Sequence, residues 1–344
     1  MKIIINFILK IFELLKNDPR ISIAKYLIGS GLVLVVGFGN LSYQFREHLV
    51  TYSDEADFMG YIFLVVGFIL LIYSYLTIRK NSVSLAYGKG IKNMNIHSPI
   101  EAIPKYERFD CTPLDIKEIN SYDKKEIIED YTFNKRLLEN RIQNKNSKKI
   151  YIGALGSFPY LFLLGSLFRN AYSNVEVLDF NRYKSGGKWY KLPLFYEGKK
   201  LITHKLTIPS DQSIQNIINN FNNNKNSEVG IALGYTFATN KNSIPKTLKN
   251  NTLYLETSLG TGHDILSSEE VQTELLKELS NYMASLWNGH NKIHLFVSAQ
   301  SSMCINIGKM YMNNAHGLLV IYNYDNESKL YNWSIEFNKG NIDN

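Results

Sequence analysis

Two short loops carry the small residues that let a backbone come close to an anionic ligand. Gly156 and Ser157 lie in KIYIGALGSFPYLFLLG (Lys149 to Gly165), and Ser301 and Ser302 lie in KIHLFVSAQSSMCINIG (Lys292 to Gly308). Each loop follows an apolar run that reads as a buried strand and precedes a run that reads as a helix. A helix start offers free N–H groups and the positive end of its dipole, which favours phosphate. The same small residues also suit a tight turn that binds nothing. NRYKSGGKWYKLP (Asn181 to Pro193) adds a second kind of chemistry. Arg182 and Lys184 suit phosphate, while Trp189 and Tyr190 suit stacking on a base. A solvated hairpin with one core tryptophan accounts for those residues equally well. ETSLGTG (Glu256 to Gly262) ends another strand with phosphate-friendly residues but lacks the GK[ST] of a Walker loop.

Searches for reaction chemistry come back empty. GxSxG and HExxH are absent, and the seven histidines are scattered. The two cysteines, Cys111 and Cys304, lie far apart with no CxxC or Cys/His metal spacing. They suit a reducing compartment, and Cys304, inside an apolar helical pattern, reads as a small core residue. No metal or cofactor is expected.

The elements that position the loops are written twice. Lys149 and Lys292 stand 143 positions apart (292 − 149), as do Gly165 and Gly308. VEVLDFNR (Val175 to Arg182) and LLVIYNYD (Leu318 to Asp325) keep the same offset without a gap. Strand–helix–strand of this length implies a right-handed parallel crossover. Pro159 is tolerated in the first turn of its helix. Between the copies, VGIALGYTFA (Val229 to Ala238) and NTLYLETSL (Asn251 to Leu259) read as strands, and Ser268 to Trp287 as a Ser-capped amphipathic helix. The fold class is therefore α/β, two parallel α/β halves at about 149–225 and 226–340 (Rossmann-type on the resemblance given below), with both loops at the carboxyl ends of strands facing one crevice.

Upstream, 81–148 reads as a polar connector followed by a helix from Asp115 to Asn144, with Asp115 as its cap. The first eighty residues differ in character. Phe58 to Ile78 is 21 residues without a charge, and Ile21 to Leu41 is equally long with only Lys25. Both match the thickness of a bilayer core. Gly29, Gly31, Gly37 and Gly39 would let a neighbouring helix approach closely. Arg20 precedes the first span and Lys25 lies near its start, Arg79 and Lys80 follow the second, and Asp54, Glu55 and Asp57 lie between. The positive-inside rule then puts both ends in the cytoplasm. Residues 1–20 read as an amphipathic interfacial helix and 21–80 as a transmembrane helical hairpin. The net charge of +7 suits an anionic partner without requiring one, and 23 Tyr with 18 Phe exclude a disordered chain.

The order KIYIGALGSFPYLFLLG, VEVLDFNR…KWY, KIHLFVSAQ…INIGK and VIYNYD…YNWSIEF resembles the SAVED domain, the sensor of bacterial CBASS antiphage systems. With two N-terminal spans, the whole chain resembles the two-transmembrane SAVED effectors. That resemblance implies a SAVED domain over 149–344, made of two CARF-like halves that bind a cyclic di- or trinucleotide from a partner nucleotidyltransferase. It further implies ligand-driven homo-oligomerisation, disruption of the bacterial inner membrane and abortive infection, with no enzymatic activity. The contact residues it implies are Ser157, Phe158, Pro159, Arg182, Trp189, Gln300 and Ser301; Gly156, Lys184, Tyr190, Ser298 and Ser302 complete the same segments. Ser301 and Ser302 depart from the proline expected in the second loop. Two other readings stay open: a membrane-tethered CARF-like enzyme that degrades cyclic oligonucleotides, and a tethered module for single-stranded nucleic acid.

Overall fold

The computed structural model describes residues 19–37, 54–80, 83–91, 97–105, 107–108, 111–114, 116, 118–144, 149–169, 174–181, 187–194, 206–207, 228–263, 265–287 and 292–343. The chain forms two compact units, one of residues 1–83 with 103–112 and the other of 84–102 with 113–344.

In the first unit, helix α1 (Pro19–Leu32) runs into a π turn at Val33–Gly37, and helix α2 (Asp54–Lys80) packs beside it. Glycines make the approach close. A Cβ on Gly31 would lie 2.7 Å from the Gly60 carbonyl oxygen, and one on Gly67 would lie 2.6 Å from Ile28 Cγ1. Of the predicted contact glycines, Gly31 sits at the contact and Gly29 faces open space, while Gly39 lies outside the described residues. The buried centre of this unit is small (Ala24, Ile28 and Leu71), while Ile23, Phe58, Val65, Ile69 and Ile72 are exposed. Among the described residues no helix is long and apolar enough to cross a membrane. The expected interfacial helix over 1–20 lies outside the described residues, apart from Pro19 and Arg20 at the start of α1.

The second unit is built on two mixed sheets. Strands β1 (Val83–Lys89), β2 (Cys111–Leu114), β3 (Lys149–Leu155), β4 (Asn174–Asn181) and β5 (Lys188–Lys191) form the first, in the order β2-β1-β3-β4-β5. The second contains β6 (Leu206–Thr207), β7 (Glu228–Gly234), β8 (Thr252–Thr257), β9 (Lys292–Ser298), β10 (Leu318–Asp325), β11 (Leu330–Asn338) and β12 (Asn341–Asp343). Its order is β12-β11-β10-β9-β7-β8-β6. The pairs β3–β4 and β9–β10 are parallel, as the repeated strand–helix–strand requires, and β5 and β11 return antiparallel on their edges. The segment read as a connector thus supplies sheet strands. Its helix, α3 (Lys124–Asn144), also starts nine residues later than expected from Asp115 (124 − 115). Just before it, the Ile119 and Ser121 amides donate to the carbonyls of Lys89 and Gly90, and Asp115 lies outside the described residues. Asp123 takes the cap, its Oδ1 accepting from the Lys125 amide at 2.9 Å.

Helices α4 (Phe158–Leu167) and α6 (Ser301–Met310), one from each copy of the repeat, cross at the centre. Every residue of α4 from Phe158 to Ser166 is buried, which explains its lack of a polar face. At the crossing a Cβ on Gly165 would overlap the Ile305 carbonyl, and a Cβ on Gly308 would overlap the Phe162 carbonyl. Ile305 and Phe162 are themselves 143 apart (305 − 162), so the contact is a pseudo-twofold in which each helix meets the other through equivalent atoms. Around it Phe162 packs edge-on against Phe158, Tyr311 and Phe337. Helix α5 (Glu269–Leu286) covers the second sheet, capped by Ser268 as predicted, and the short α7 (Asn313–His316) lies against it.

Two expected outcomes follow from this packing. Gly165→Ala and Gly308→Ala each lower unfolding free energy by about 1–3 kcal/mol through overpacking at the crossing; denaturant unfolding of the full chain measures it, and unchanged stability in both contradicts the backbone contact. The second concerns pH. Burial holds His294 and His316 down to about 4, with Lys292 adding to the effect at His294. The folded state therefore binds fewer protons than the unfolded one below the ordinary histidine value, so stability is full above about pH 6.5 and falls towards pH 4. Melting curves across that range should show loss beginning above about pH 5, before carboxylates titrate.

Candidate functional site

A cleft of about 240 Å³ opens where the carboxyl ends of β3, β4, β7, β9 and β10 meet. Both copies of the repeat contribute, because the crossed helices bring their strand ends to one place. Of the residues singled out from sequence, Gly156, Ser157, Phe158, Ser298, Gln300 and Ser301 line it.

The two loops are not left open for an anion in the way their composition suggested. Ser157 caps α4 in extended conformation, but its amide donates to Ser121 Oγ at 2.8 Å and its hydroxyl donates to the Ser121 carbonyl. Gly156 permits a close approach by the chain itself, since a Cβ there would lie 2.8 Å from Ser121 Oγ. In the second loop Gln300 is clamped. Its Oε1 accepts from the Leu266 amide and its Nε2 donates to Asp179 Oδ2, both at 2.9 Å. The Ser298 carbonyl accepts from the amides of Tyr235 and Thr236.

Asp179, at the end of β4, is the polar centre of the cleft and was not singled out from sequence. It is 2% exposed. Burial pushes its carboxyl above the usual range, against hydrogen bonds from the Phe180 amide, the Tyr190 hydroxyl and the amide and hydroxyl of Ser302. The N-terminus of α6 thus already holds an internal carboxylate. The network continues inward: Gln272 Nε2 donates to Ser302 Oγ, and Asn306 Nδ2 donates to Gln272 Oε1, each at 2.8 Å. First-half Asp179 is in this way tied to second-half Gln300 and Ser302.

Several expected contacts are placed elsewhere. Trp189 is 5% exposed, packs against Tyr87 and Phe180, and donates through Nε1 to the His97 carbonyl at 2.8 Å. It is a core residue of the first sheet and does not line the cleft. Tyr190 is committed to Asp179, Ser302 is fully buried in the network, and Pro159 lies inside the buried helix behind the loop. Arg182 and Lys184 lie outside the described residues. Cys304 borders the cleft but is buried, and burial pushes its thiol up, away from the reactive thiolate. Among the described residues lining the cleft there is no Lys or Arg, and Asp179 is the one carboxylate. Among the described residues no group of three His, Cys, Asp or Glu is placed to hold a metal.

Aromatic lining was missed as well. Tyr122, Phe180, Phe237, His263 and Tyr324 all border the cleft. Their signal was position: Phe180, Phe237 and Tyr324 stand at or just past the ends of β4, β7 and β10.

Residues 133–337 match the family model "SMODS-associated and fused to various effectors sensor domain", and the chain belongs to this SAVED family. Solved structures similar to it include the Acinetobacter baumannii Cap4 SAVED/CARF-domain containing receptor with the cyclic trinucleotide 3'3'3'-cAAA, at 14% identity and TM-score 0.46. That match covers 83% of this chain and 58% of the receptor. The Moraxella osloensis Cap4 SAVED/CARF-domain containing receptor is similar at 12% identity and TM-score 0.42, over 86% of this chain and 63% of that one. No curated protein matches the sequence.

The Asp179 network sets a test. Asp179→Ala leaves buried donors without an acceptor and costs about 3 kcal/mol of stability. Asp179→Asn isolates the charge. Because the folded carboxyl titrates above its unfolded value near 3.8, its contribution is full below that pH and is lost as pH rises through the folded value. The stability of wild type relative to Asp179→Asn should therefore fall as pH is raised from 3.8. Parallel pH profiles for the two proteins contradict the assignment.

Proposed function

We propose that this chain is a SAVED effector of CBASS antiphage defence, a non-enzymatic receptor whose cleft binds a cyclic di- or trinucleotide made by a partner nucleotidyltransferase. The observation that carries the reading is the single cleft at the strand ends of both repeat copies, within a chain of the SAVED sensor family. Ligands of open α/β sheets bind at such strand ends. At about 240 Å³ the cleft falls below the roughly 300 Å³ typical of small-molecule pockets, so it takes part of a cyclic oligonucleotide and leaves the rest at the mouth.

The N-terminal unit is the output. The run Phe58 to Ile78 carries no charge, α2 is 27 residues long, or about 40 Å of helix, and apolar side chains along it point outward. Such a surface calls for lipid or for other copies of itself. In this reading α1 and α2 form a hairpin in the bacterial inner membrane, with both termini and the sensor cytoplasmic. Ligand binding favours an assembled state, which requires that state to bind the ligand more tightly. Homo-oligomerisation then gathers the hairpins and disrupts the bilayer, producing abortive infection.

The test is titration of the full chain in detergent with synthetic cyclic di- and trinucleotides. Binding at a hundredfold excess over Kd adds about 2.7 kcal/mol of stability, read as a rise of several degrees in Tm, together with a larger assembly. If no cyclic ligand moves either the melting point or the assembly size, the receptor reading fails.

A further inference from the structure

Phe237 is the anomaly of the cleft. It is 62% exposed although it stands at the rim of a preformed pocket. It is also held firmly. The loop that carries it turns back tightly over Gly234, where a Cβ would lie 2.7 Å from the Phe237 carbonyl oxygen and 2.8 Å from the Thr239 amide nitrogen. The amides just before it, of Tyr235 and Thr236, both donate to the Ser298 carbonyl at 2.9 Å. The Gly262 amide donates to the Tyr235 carbonyl at 3.0 Å, which brings the next residue, His263, against the ring. The two rings meet edge to face, with centroids 5.1 Å apart and planes at 88°. His263 thus supports Phe237 from one side.

The surroundings select the occupant. Among the described residues lining the cleft, none is a cation that would draw phosphate inward, and the Asp179 carboxylate opposes it. Beside Phe237, Thr236 borders the same space, and its buried hydroxyl has no partner among the described residues. A flat, uncharged, hydrogen-bonding ring fits this combination, and the small volume admits one such group.

Resting on the receptor reading above, we infer that Phe237, braced by His263, is the stacking platform for one nucleobase of the ligand, so that the cleft takes a base and the phosphates stay at its mouth. Aromatic stacking of a base tolerates Tyr or Trp in place of Phe, because each offers a flat face.

The experiment compares the full-length wild type, Phe237→Ala, Phe237→Trp and His263→Ala, using cyclic triadenylate and cyclic diadenylate as probes. Each is also made with one adenine replaced by a fluorescent analogue that is quenched on stacking. Phe237→Ala should bind about 5- to 150-fold more weakly and lose the quench, while Phe237→Trp keeps both. His263→Ala should show a smaller loss in the same direction. Melting curves confirm that each variant folds, and the conservative Trp variant serves if the Ala variant does not. Wild-type binding with affinity and quench unchanged in Phe237→Ala overturns the platform and leaves the receptor reading standing. No binding of either probe by wild type overturns the platform together with the receptor reading on which it rests.

Discussion

Two backbones touch at the centre of this protein because neither helix carries a side chain there. Gly165 of α4 meets the Ile305 carbonyl, and Gly308 of α6 meets the Phe162 carbonyl. Any Cβ at either place would push the helices apart, and close-packed interiors do not absorb such a shift smoothly. The distance between the halves is set here, and so is the separation of the strand ends that frame the cleft. Asp179 reaches Gln300 and Ser302 across that gap only because the crossing is this close.

The cost of the arrangement is a polar seam in an apolar core. Asp179, Ser302, Gln272 and Asn306 form a chain of hydrogen bonds running inward from the cleft between α5, α6 and β4. Buried polar groups stabilise a unique packing when all their partners are present and destabilise it when one is missing. The two halves therefore share an all-or-none junction as well as an apolar one. Cleft-lining Gln300 is itself a member of this junction, so a change at the cleft is felt by the contact between halves.

Much of this was legible in the sequence, for a physical reason. The two copies kept their register, so an offset of 143 positions marked strands, loops and helices together, and even the crossing glycines appeared as an aligned pair. Their meaning did not appear, because a glycine does not reveal whether a ligand, a turn or another helix comes close to it. Gly156 and Ser157 line the cleft, yet Ser121, 36 residues upstream of Ser157, takes the hydrogen bonds of the serine. Strand β1 went unread because VSLAYGK sits beside polar, proline-broken sequence, and Asp123 caps the helix after Ile119 and Ser121 bond to the carbonyls of Lys89 and Gly90. Trp189 looked like a stacking residue, but its ring meets Phe180 and Tyr87 through tertiary folding that local pattern cannot show. Asp179 was a lone acid in an apolar strand and carried no motif. The outward-facing apolar side chains of α2 match the composition from which a membrane hairpin was expected, while the span itself belongs to the proposal.

The repeat is not a perfect copy at its helix starts. Pro159 and Ser302 occupy equivalent positions, and they differ in what they can donate: the proline has no amide hydrogen, whereas the serine gives both its amide and its hydroxyl to Asp179. The two helix starts behind the crevice are thus chemically unlike, one without a donor and the other with both donors spent on Asp179. A ring built from identical units, seated there, loses its rotational symmetry on binding, since its units meet unlike surroundings. Such a ring has as many indistinguishable ways to enter as it has units, a statistical gain of about 0.65 kcal/mol for three of them. For the proposed ligand class, the divergence of the two copies thus favours a single pose of a symmetrical ring.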